Sequence, residues 1–331
     1  MDLKEFLDEW HNDSDRVLVH TSGSTGQPKP LWVEKRRMEA SARVTCRFLG
    51  LQAGDTALLC MPLDYIAGKM MVVRALTCNL RLVTVEPCSH PLKSPLPSWG
   101  DGRRLFSAMV PMQVYNSLQV PEERERLMAI HHLIIGGGAV DERLAKELKA
   151  FPHAVWSTYG MTETLSHIAL RRLNGPDASD WYTPFEGVKV SLADDGCLVI
   201  DAPLVCPQVL KTNDRAELKD GRFRILGRLD NVVCSGGLKI QIEEVERLLR
   251  QHTAQPFMMT KCRDEQFGEA LVLLVEGLSV EALQTLCRQV LPRYWQPRYC
   301  YAVDHLPMTE TGKPARKEAE LVVSRLRAQE S

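Results

Sequence analysis

The segment from Thr21 to Lys29 has the composition of a phosphate-binding loop. It follows the apolar run Val17–Val19, which predicts a short strand. Glycines let backbone N–H groups approach a polyphosphate closely, hydroxyl groups donate hydrogen bonds, and a lysine supplies positive charge. The candidate phosphate ligands are Thr21, Ser22, Gly23, Ser24, Thr25, Gly26 and Lys29. Because the spacing differs from the G-x-x-x-x-G-K-[ST] nucleotide loop, a Ser/Thr/Gly surface linker is the alternative interpretation.

The composition is that of a globular protein without a bias towards polyanionic partners. The 331-residue chain is 44% hydrophobic and 25% charged, with a formal net charge of −1. We therefore expect neither nucleic acid nor an anionic membrane surface as a partner. The ten cysteines include no C-x-x-C pair, and we expect most of them to be reduced core residues. A charged start and the lack of a long apolar run predict a cytoplasmic protein without membrane insertion.

Short apolar runs alternate with helical patterns over the first 150 residues, which predicts an α/β fold with mainly parallel strands. Further strands are expected at Ala57–Cys60, Leu82–Val85 and Leu133–Ile135, and helices at Gly68–Cys78 and Asp141–Lys149. Ligands bind at loops that leave the carboxyl ends of such strands. Three loops meet this condition: 21–29, 136–138 and 157–164.

The pattern changes twice in the second half of the chain. From about residue 181 to residue 229, short strands joined by tight turns predict a β-rich subdomain. Beyond it, helices at Ile242–Gln251 and Val280–Val290 flank a strand at Ala270–Val275. The sequence therefore predicts a large domain, 1–229, and a small α+β domain, 230–331.

Five segments in order resemble the signature set of the adenylate-forming enzymes, which include acyl-CoA synthetases, peptide-synthetase adenylation domains and luciferases. Beyond 21–29 they are Tyr159-Gly160-Met161-Thr162-Glu163-Thr164, Thr212-Asn213-Asp214, Gly227-Arg228-Leu229-Asp230 and Thr311-Gly312-Lys313. Each segment alone is a weak signal, but the shared order extends over nearly the whole chain. The resemblance implies a small mobile C-terminal domain and the use of ATP, Mg²⁺ and CoA. It also implies that a carboxylic acid is first joined to AMP and then transferred to a thiol.

The resemblance assigns roles in the first of these two steps. The loop 21–29 would hold the β- and γ-phosphates, while Gly137 and Gly138 would lie along the adenine plane. Tyr159, followed by Gly160, would stack on adenine, and Asp214 would accept hydrogen bonds from the ribose hydroxyls. Arg228 would be a further ATP-binding residue. The expected catalytic residues are Thr162, which donates to the α-phosphate, Glu163, which binds Mg²⁺, and Lys313, which stabilises the transition state at phosphorus.

Other residues are implicated in the second step. Asp230 resembles the hinge about which the small domain rotates between the two reactions. Ser235, Gly236 and Gly237 would line the channel for the pantetheine arm of CoA. A plain structural turn is the alternative interpretation of the two glycines.

The acid is indicated by the segment Met61–Lys69, which resembles the family's Pro-Leu-x-His-x-x-Gly pattern with Tyr65 in place of histidine. Lys69 and Arg74 follow on the predicted helix, and buried cations would suit an acid with a second carboxylate. Tyr65, Lys69 and Arg74 are therefore candidate acyl-pocket residues. Surface charges on an amphipathic helix are the alternative interpretation of both cations.

The compact chain and this segment look like the o-succinylbenzoate–CoA ligases of menaquinone biosynthesis, especially short bacterial forms. Typical relatives carry a substantial region before the phosphate loop, so the resemblance does not define the pocket walls or any homodimer surface. Two other functions remain open. The chain could load a carrier protein as a stand-alone adenylation domain, or it could be a non-catalytic nucleotide-binding homologue.

Overall fold

The structure, a computed structural model, describes residues 1–20, 30–96, 102–138, 140, 142–277, 280–309 and 314–330. The phosphate-loop candidates Thr21–Lys29 and the predicted catalytic Lys313 lie outside these residues. The chain divides into two compact units. The first contains Met1–Ser191, Val199–Leu210 and Leu218–Arg224, and the second contains Leu192–Leu198, Lys211–Glu217 and Ile225–Ser331. The domain boundary expected at 229–231 stays a prediction.

The helices and strands of the described residues are numbered along the chain. The helices are α1 (Leu3–His11), α2 (Lys35–Leu49), α3 (Ile66–Thr77), α4 (Pro111–Gln119), α5 (Pro121–Met128), α6 (Glu142–Leu148), α7 (Ile242–Arg250), α8 (Val280–Val290) and α9 (Arg316–Glu330). The strands of the first half are β1 (Arg16–His20), β2 (Pro30–Glu34), β3 (Thr56–Leu59), β4 (Arg81–Thr84), β5 (Leu105–Met109), β6 (His132–Ile135), β7 (Ala154–Gly160), β8 (His167–Arg172) and β9 (Thr183–Pro184). The remaining strands are β10 (Lys189–Leu192), β11 (Cys197–Asp201), β12 (Leu210–Lys219), β13 (Arg222–Arg228), β14 (Val232–Ser235), β15 (Leu238–Gln241), β16 (Phe257–Asp264), β17 (Gly268–Glu276) and β18 (Tyr299–Val303).

The first unit is organised around a sheet in which the described strands follow the order β4-β3-β5-β6-β7-β8-β9. The pairs from β4 to β7 are parallel, and β7–β8 and β8–β9 are antiparallel. Every residue of β3 and β5 is buried, as expected where helices cover both faces of a parallel sheet. The prediction of an α/β fold with mainly parallel strands is confirmed.

The predicted β-rich region is also present. The strands β10, β11, β12 and β13 form one sheet in that order. The division into units runs through this region, because 199–210 and 218–224 belong to the first unit and 192–198 and 211–217 to the second.

The second unit contains a sheet in the order β15-β14-β17-β16, with β18 parallel to β17. Alternate residues of β17 supply two different cores, because successive side chains of a strand point to opposite faces. Leu271 and Leu273 pack with α7 and α8, whereas Val272 and Leu274 pack with α9. This is the small α+β unit that the sequence predicts after the β-rich region.

Candidate active site

Two predicted nucleotide-binding segments leave the same edge of the large sheet. Ile135 pairs with Ser157 in the parallel β6–β7 ladder, so the turn 136–138 and the end of β7 are adjacent. A Cβ at Gly136 would lie 2.5 Å from the Thr158 hydroxyl oxygen, and Gly137 has a φ of +80°. Both positions therefore require glycine. The structure thus brings Gly137 and Gly138 close to Tyr159 and Gly160.

The ring of Tyr159 is held in an aromatic cluster with Tyr182 and Phe223. Its centroid lies 5.0 Å from that of Phe223 in an edge-on contact and 5.8 Å from that of Tyr182. Tyr182 stacks on Phe223, and its hydroxyl is 2.9 Å from that of Ser157. These two rings were not predicted from the sequence, because they lie outside the motif and only the fold brings them to it.

The rest of the motif is a tight reversal between β7 and β8. Residues 157–160, predicted as loop, are the end of β7, because β8 pairs with them antiparallel. A Cβ at Gly160 would overlap the Ser166 carbonyl oxygen. The Thr164 hydroxyl accepts a hydrogen bond from the Met161 amide at 3.1 Å and donates to the Ser166 carbonyl at 2.7 Å. Leu165 completes the reversal with a φ of +64°.

Within this reversal Thr162 is buried and Glu163 is exposed. No hydrogen bond or ion pair to Glu163 is found within the described residues. They also contain no group of three or more His, Cys, Asp or Glu side chains that could hold a metal ion. Mg²⁺ is commonly held by one or two carboxylates together with substrate phosphates and waters. A single free carboxylate at this position therefore fits a magnesium ion that is bound jointly with a nucleotide.

In the second unit, two further candidates, Asp214 and Asp230, lie beside the guanidinium of a third, Arg228. Arg228 lies 3.6 Å from the Asp214 carboxylate and 3.0 Å from that of Asp230. Asp230 belongs to a short 3₁₀ turn, Leu229–Asn231, between β13 and β14. Gly227 precedes Arg228, and a Cβ there would lie 2.5 Å from the Gln241 side-chain nitrogen, which explains the glycine. The structure therefore brings Asp214, Arg228 and the predicted hinge together.

Two acyl-pocket candidates, Tyr65 and Lys69, lie at the start of α3, and the third, Arg74, lies in its last turn. Tyr65 immediately precedes the helix, and its side chain is 39% exposed. A Cβ at Gly68 would overlap the Pro62 carbonyl oxygen. The pattern Pro-Leu-x-x-x-x-Gly thus lets the first helical turn pack directly on the preceding backbone.

Lys69 is buried and already has internal partners. Its ammonium donates to the Leu18 carbonyl oxygen at 2.7 Å and lies 3.5 Å from the Glu9 carboxylate. The other oxygen of Glu9 accepts from the Leu18 amide at 3.1 Å. Glu9 and Lys69 therefore bond both the amide and the carbonyl of Leu18. These groups need side-chain partners because, among the described strands, β1 pairs only with β2. The predicted role of Lys69 as a substrate cation stays a prediction, but its charge is not free.

Arg74 is also buried, and it differs from Lys69 because no carboxylate among the described residues pairs with it. Its side chain is 1% exposed. One terminal nitrogen donates to the Ser166 hydroxyl at 2.9 Å, and its Nε has no hydrogen-bond partner. Burial lowers the pKa of Arg74 to about 10. The guanidinium remains charged at neutral pH, and the described residues supply no carboxylate as its counter-charge.

The residues around Arg74 connect it to the β7–β8 reversal. Ser166 follows that reversal, and its hydroxyl lies 3.2 Å from Nδ1 of His167. Nε2 of His167 lies 3.1 Å from the Thr45 hydroxyl. The pKa of His167 is held well below its ordinary value, first by burial and then by the charge of Arg74. A second cation next to Arg74 is thereby avoided, and the site is suited to an anion.

The predicted CoA-channel residues lie in the hairpin between β14 and β15. Ser235 ends β14, and Gly236 and Gly237 form the two-residue turn. Gly236 and Gly237 have φ angles of +55° and +84°, and Ser235 pairs with Leu238. Two successive positive φ values define the type I′ turn, which favours glycine at both positions. A groove of about 390 Å³ lies in the same unit and includes Cys234 and Lys239 in its lining.

The comparisons with known proteins define the class. The sequence profile of the AMP-binding enzyme family matches residues 5–202, more than half of the chain. The chain therefore belongs to the AMP-binding enzyme family, and the resemblance to adenylate-forming enzymes is confirmed. None of the helices in the described ranges has the length and apolar character needed to cross a membrane.

Individual relatives show which proteins this chain is similar to. A 2-succinylbenzoate–CoA ligase of Salmonella typhimurium is 29% identical over 85% of this chain, which spans only 63% of the length of that relative. The crystal structure of an AMP-forming acyl-CoA synthetase/AMP-acid ligase II-like protein from Dyadobacter fermentans has 32% identity and a TM-score of 0.64, covering 96% of this chain and 92% of that one. The o-succinylbenzoate coenzyme A synthetase of Bacillus subtilis, solved with ATP and a magnesium ion, shares the fold. Its TM-score is 0.72 at 22% identity, with 91% of this chain and 69% of that one covered.

Proposed function

We propose that the protein is an ATP-dependent acid–thiol ligase that converts o-succinylbenzoate into its CoA thioester, as in menaquinone biosynthesis. The observation that carries this choice of acid is Arg74, a buried guanidinium without a carboxylate partner among the described residues. An unpaired buried charge is costly. A substrate with one carboxylate to activate and a second one to be bound would supply the missing charge. The names of the relatives from Salmonella and Bacillus support the same acid.

The first half-reaction forms the acyl-adenylate. A carboxylate oxygen of the acid attacks the α-phosphorus of ATP, the bond to the bridging oxygen breaks, and pyrophosphate leaves. At about 4 Å and an effective dielectric constant of about 20, each pair of like charges opposes this approach by about 4 kcal/mol. Positive charges and oriented donors must offset the repulsion where charge develops.

In this scheme, Thr21–Lys29, Thr162 and Lys313 would bind the phosphates and stabilise the reacting centre. Tyr159 would stack on adenine beside Gly137 and Gly138, and Asp214 would accept from the ribose. Glu163 would hold Mg²⁺ together with phosphate oxygens, and the ion would neutralise phosphate charge when bound. Arg74 would bind the second carboxylate of the acid.

The second half-reaction transfers the acyl group to CoA. The thiol sulfur attacks the acyl carbonyl carbon, the bond to the AMP oxygen breaks, and the thiol proton is released to solvent. Asp230 would be the hinge that changes the position of the small domain between the two steps. The Ser235–Gly237 hairpin would then line the path of the pantetheine arm. The predicted location in the cytoplasm suits soluble substrates of this kind.

The proposal is tested by pyrophosphate exchange into ATP over a panel of aromatic, dicarboxylic and fatty acids. We expect exchange with o-succinylbenzoate, and AMP plus a thioester once CoA is added. Exchange with none of the acids would contradict the enzyme assignment. A phosphopantetheinylated carrier protein in place of CoA distinguishes a carrier-loading domain.

The substitution Lys313→Ala tests the division of labour between residues. It should abolish exchange, because the cation at the reacting phosphate is lost, and leave thioester formation from preformed acyl-adenylate nearly intact. Measuring both half-reactions on one preparation serves as the control. Equal loss in both would contradict the role of Lys313.

A further inference from the structure

The turn between β16 and β17 is organised by one buried carboxylate. The Asp264 side chain is 3% exposed. One of its oxygens accepts from the backbone amides of Gln266 at 3.0 Å and Phe267 at 2.9 Å. The other accepts from the Tyr299 hydroxyl at 2.9 Å and forms an ion pair with Nε of Arg298 at 3.1 Å. These bonds keep the pKa of Asp264 below its ordinary value although burial opposes them. The turn therefore has a fixed shape.

This fixed turn presents Phe267 to the Ser235–Gly237 hairpin. The Phe267 carbonyl oxygen accepts from the Gly236 amide at 2.9 Å. The Phe267 ring lies 3.0 Å from the point where a Cβ of Gly236 would be. On the ring, the Arg298 guanidinium carbon lies 4.7 Å from the centroid. Arg298 thus holds the Phe267 ring in place, and the ring in turn limits the conformations that the Ser235–Gly237 hairpin can adopt.

We propose that Phe267, fixed by Asp264 and Arg298, is a positioning residue for the Ser235–Gly237 hairpin and therefore for the thioester half-reaction. Two adjacent glycines have the widest conformational freedom of any dipeptide, so the hairpin needs an outside contact to keep one shape. The contacts of Phe267 supply it. This inference rests on the proposed function, because it assigns the hairpin to the CoA step.

The decisive variant is Phe267→Ala. It should lower the rate of thioester formation from preformed acyl-adenylate about 10-fold, because a misplaced channel wall misaligns the thiol. Pyrophosphate exchange should stay within about twofold of wild type, since the hairpin has no part in adenylation. General unfolding of the second unit would instead lower the rates of both half-reactions. The sequence range of that unit includes position 313, the predicted catalytic lysine of the first step. Equal effects on the two steps, or no effect on either, would overturn the proposal.

Matched variants separate positioning from folding. Phe267→Leu keeps apolar bulk against Gly236 and should recover most of the thioester rate. Arg298→Gln removes the cation above the ring and should give a smaller loss of the same kind. Tyr294→Ala removes an aromatic ring that is 70% exposed in the same unit and should change neither step.

Hydrogen exchange tests the inference independently of activity. The Gly236 amide donates to the backbone carbonyl of Phe267, which Phe267→Ala keeps. Loss of the ring that packs on Gly236 should free the hairpin and accelerate exchange of this amide about 10-fold or more, while the amides of β16 keep their wild-type rates. Unchanged exchange at Gly236 would refute the positioning role even if the wild-type protein catalyses no reaction. A wild type without acid-dependent exchange of pyrophosphate would refute the proposed function instead.

Discussion

Replacing Arg74 by methionine is expected to stabilise the folded protein and to weaken its binding of the acid. Arg74 is 1% exposed, and burial lowers its pKa to about 10. Because the folded-state pKa is below that of the unfolded chain, folding disfavours the charged form. The cost is fully present at pH 7 and is relieved only as the pH rises beyond about 10.

The magnitude follows from the size of the shift. Each step of one in the pKa costs about 1.4 kcal/mol, so the lowered pKa of Arg74 corresponds to a cost of roughly 3 kcal/mol. Methionine forgoes the hydrogen bond to Ser166, which contributes about 1 kcal/mol, so the free energy of unfolding should rise by about 2 kcal/mol. Losing the partner of a buried substrate carboxylate should cost roughly 3 kcal/mol of binding, or about a 100-fold increase in KM for o-succinylbenzoate.

Urea unfolding at pH 7 without ligand measures the first effect, and pyrophosphate exchange measures the second. Lys69→Met is the matched control on the same helix. Its ammonium has the Leu18 carbonyl and Glu9 as partners, so this change should destabilise the protein by about 2–3 kcal/mol. A monocarboxylate analogue should lose little affinity in Arg74→Met.

The opposite signs of the two substitutions are the critical result. If Arg74→Met destabilised the protein as much as Lys69→Met, Arg74 would have a structural counter-charge. If it left the KM for the dicarboxylate unchanged, the second carboxylate would bind elsewhere. Either outcome would refute the assignment of Arg74.

Two other groups give pH-dependent predictions. The pKa of the Cys78 thiol is lowered by a hydrogen bond from Cys46 and by nearby Arg43 and Arg74, so iodoacetamide should alkylate it at a lower pH than an ordinary cysteine. Peptide mass spectrometry measures it, and Cys300, whose pKa burial raises to about 11, should stay unmodified at neutral pH. Burial lowers the pKa of His132 from 6.5 to about 4, so its contribution to stability is complete above pH 6.5 and should be lost as the pH falls towards 4. Urea unfolding should show that His132→Asn removes roughly 2–3 kcal/mol of this pH dependence; an unchanged slope would contradict it.

Local patterns were sufficient to predict many of the elements. The apolar run at Leu133–Ile135 is β6, and the periodic segment Val280–Val290 is α8 with the expected bounds. The central strand β5, Leu-Phe-Ser-Ala-Met, was not predicted. All five of its residues are buried, so no alternation of apolar and polar residues marks it as a strand.

The candidate site shows the same limit at the level of side chains. The motif Tyr159–Thr164 indicated a nucleotide site through its resemblance, together with the other ordered motifs, to the adenylate-forming enzymes. The sequence could not show that Lys69 pairs with Glu9, 60 residues earlier, whereas Arg74 on the same helix has no carboxylate partner within the described part of the chain. That difference depends on which distant segments pack against each turn of α3. It is set by tertiary structure and not by local pattern.

The division of the chain into units has a consequence for its biosynthesis. Segments of the first unit extend to Arg224 and alternate with segments of the second between residues 192 and 217. Domains generally fold as whole units while the chain emerges from the ribosome. A nascent chain that ends near Ser191 therefore lacks two pieces of its first unit, and this unit cannot be completed until Arg224 has left the exit tunnel. For the same reason, no single cut of the gene would yield the two units as separate polypeptides.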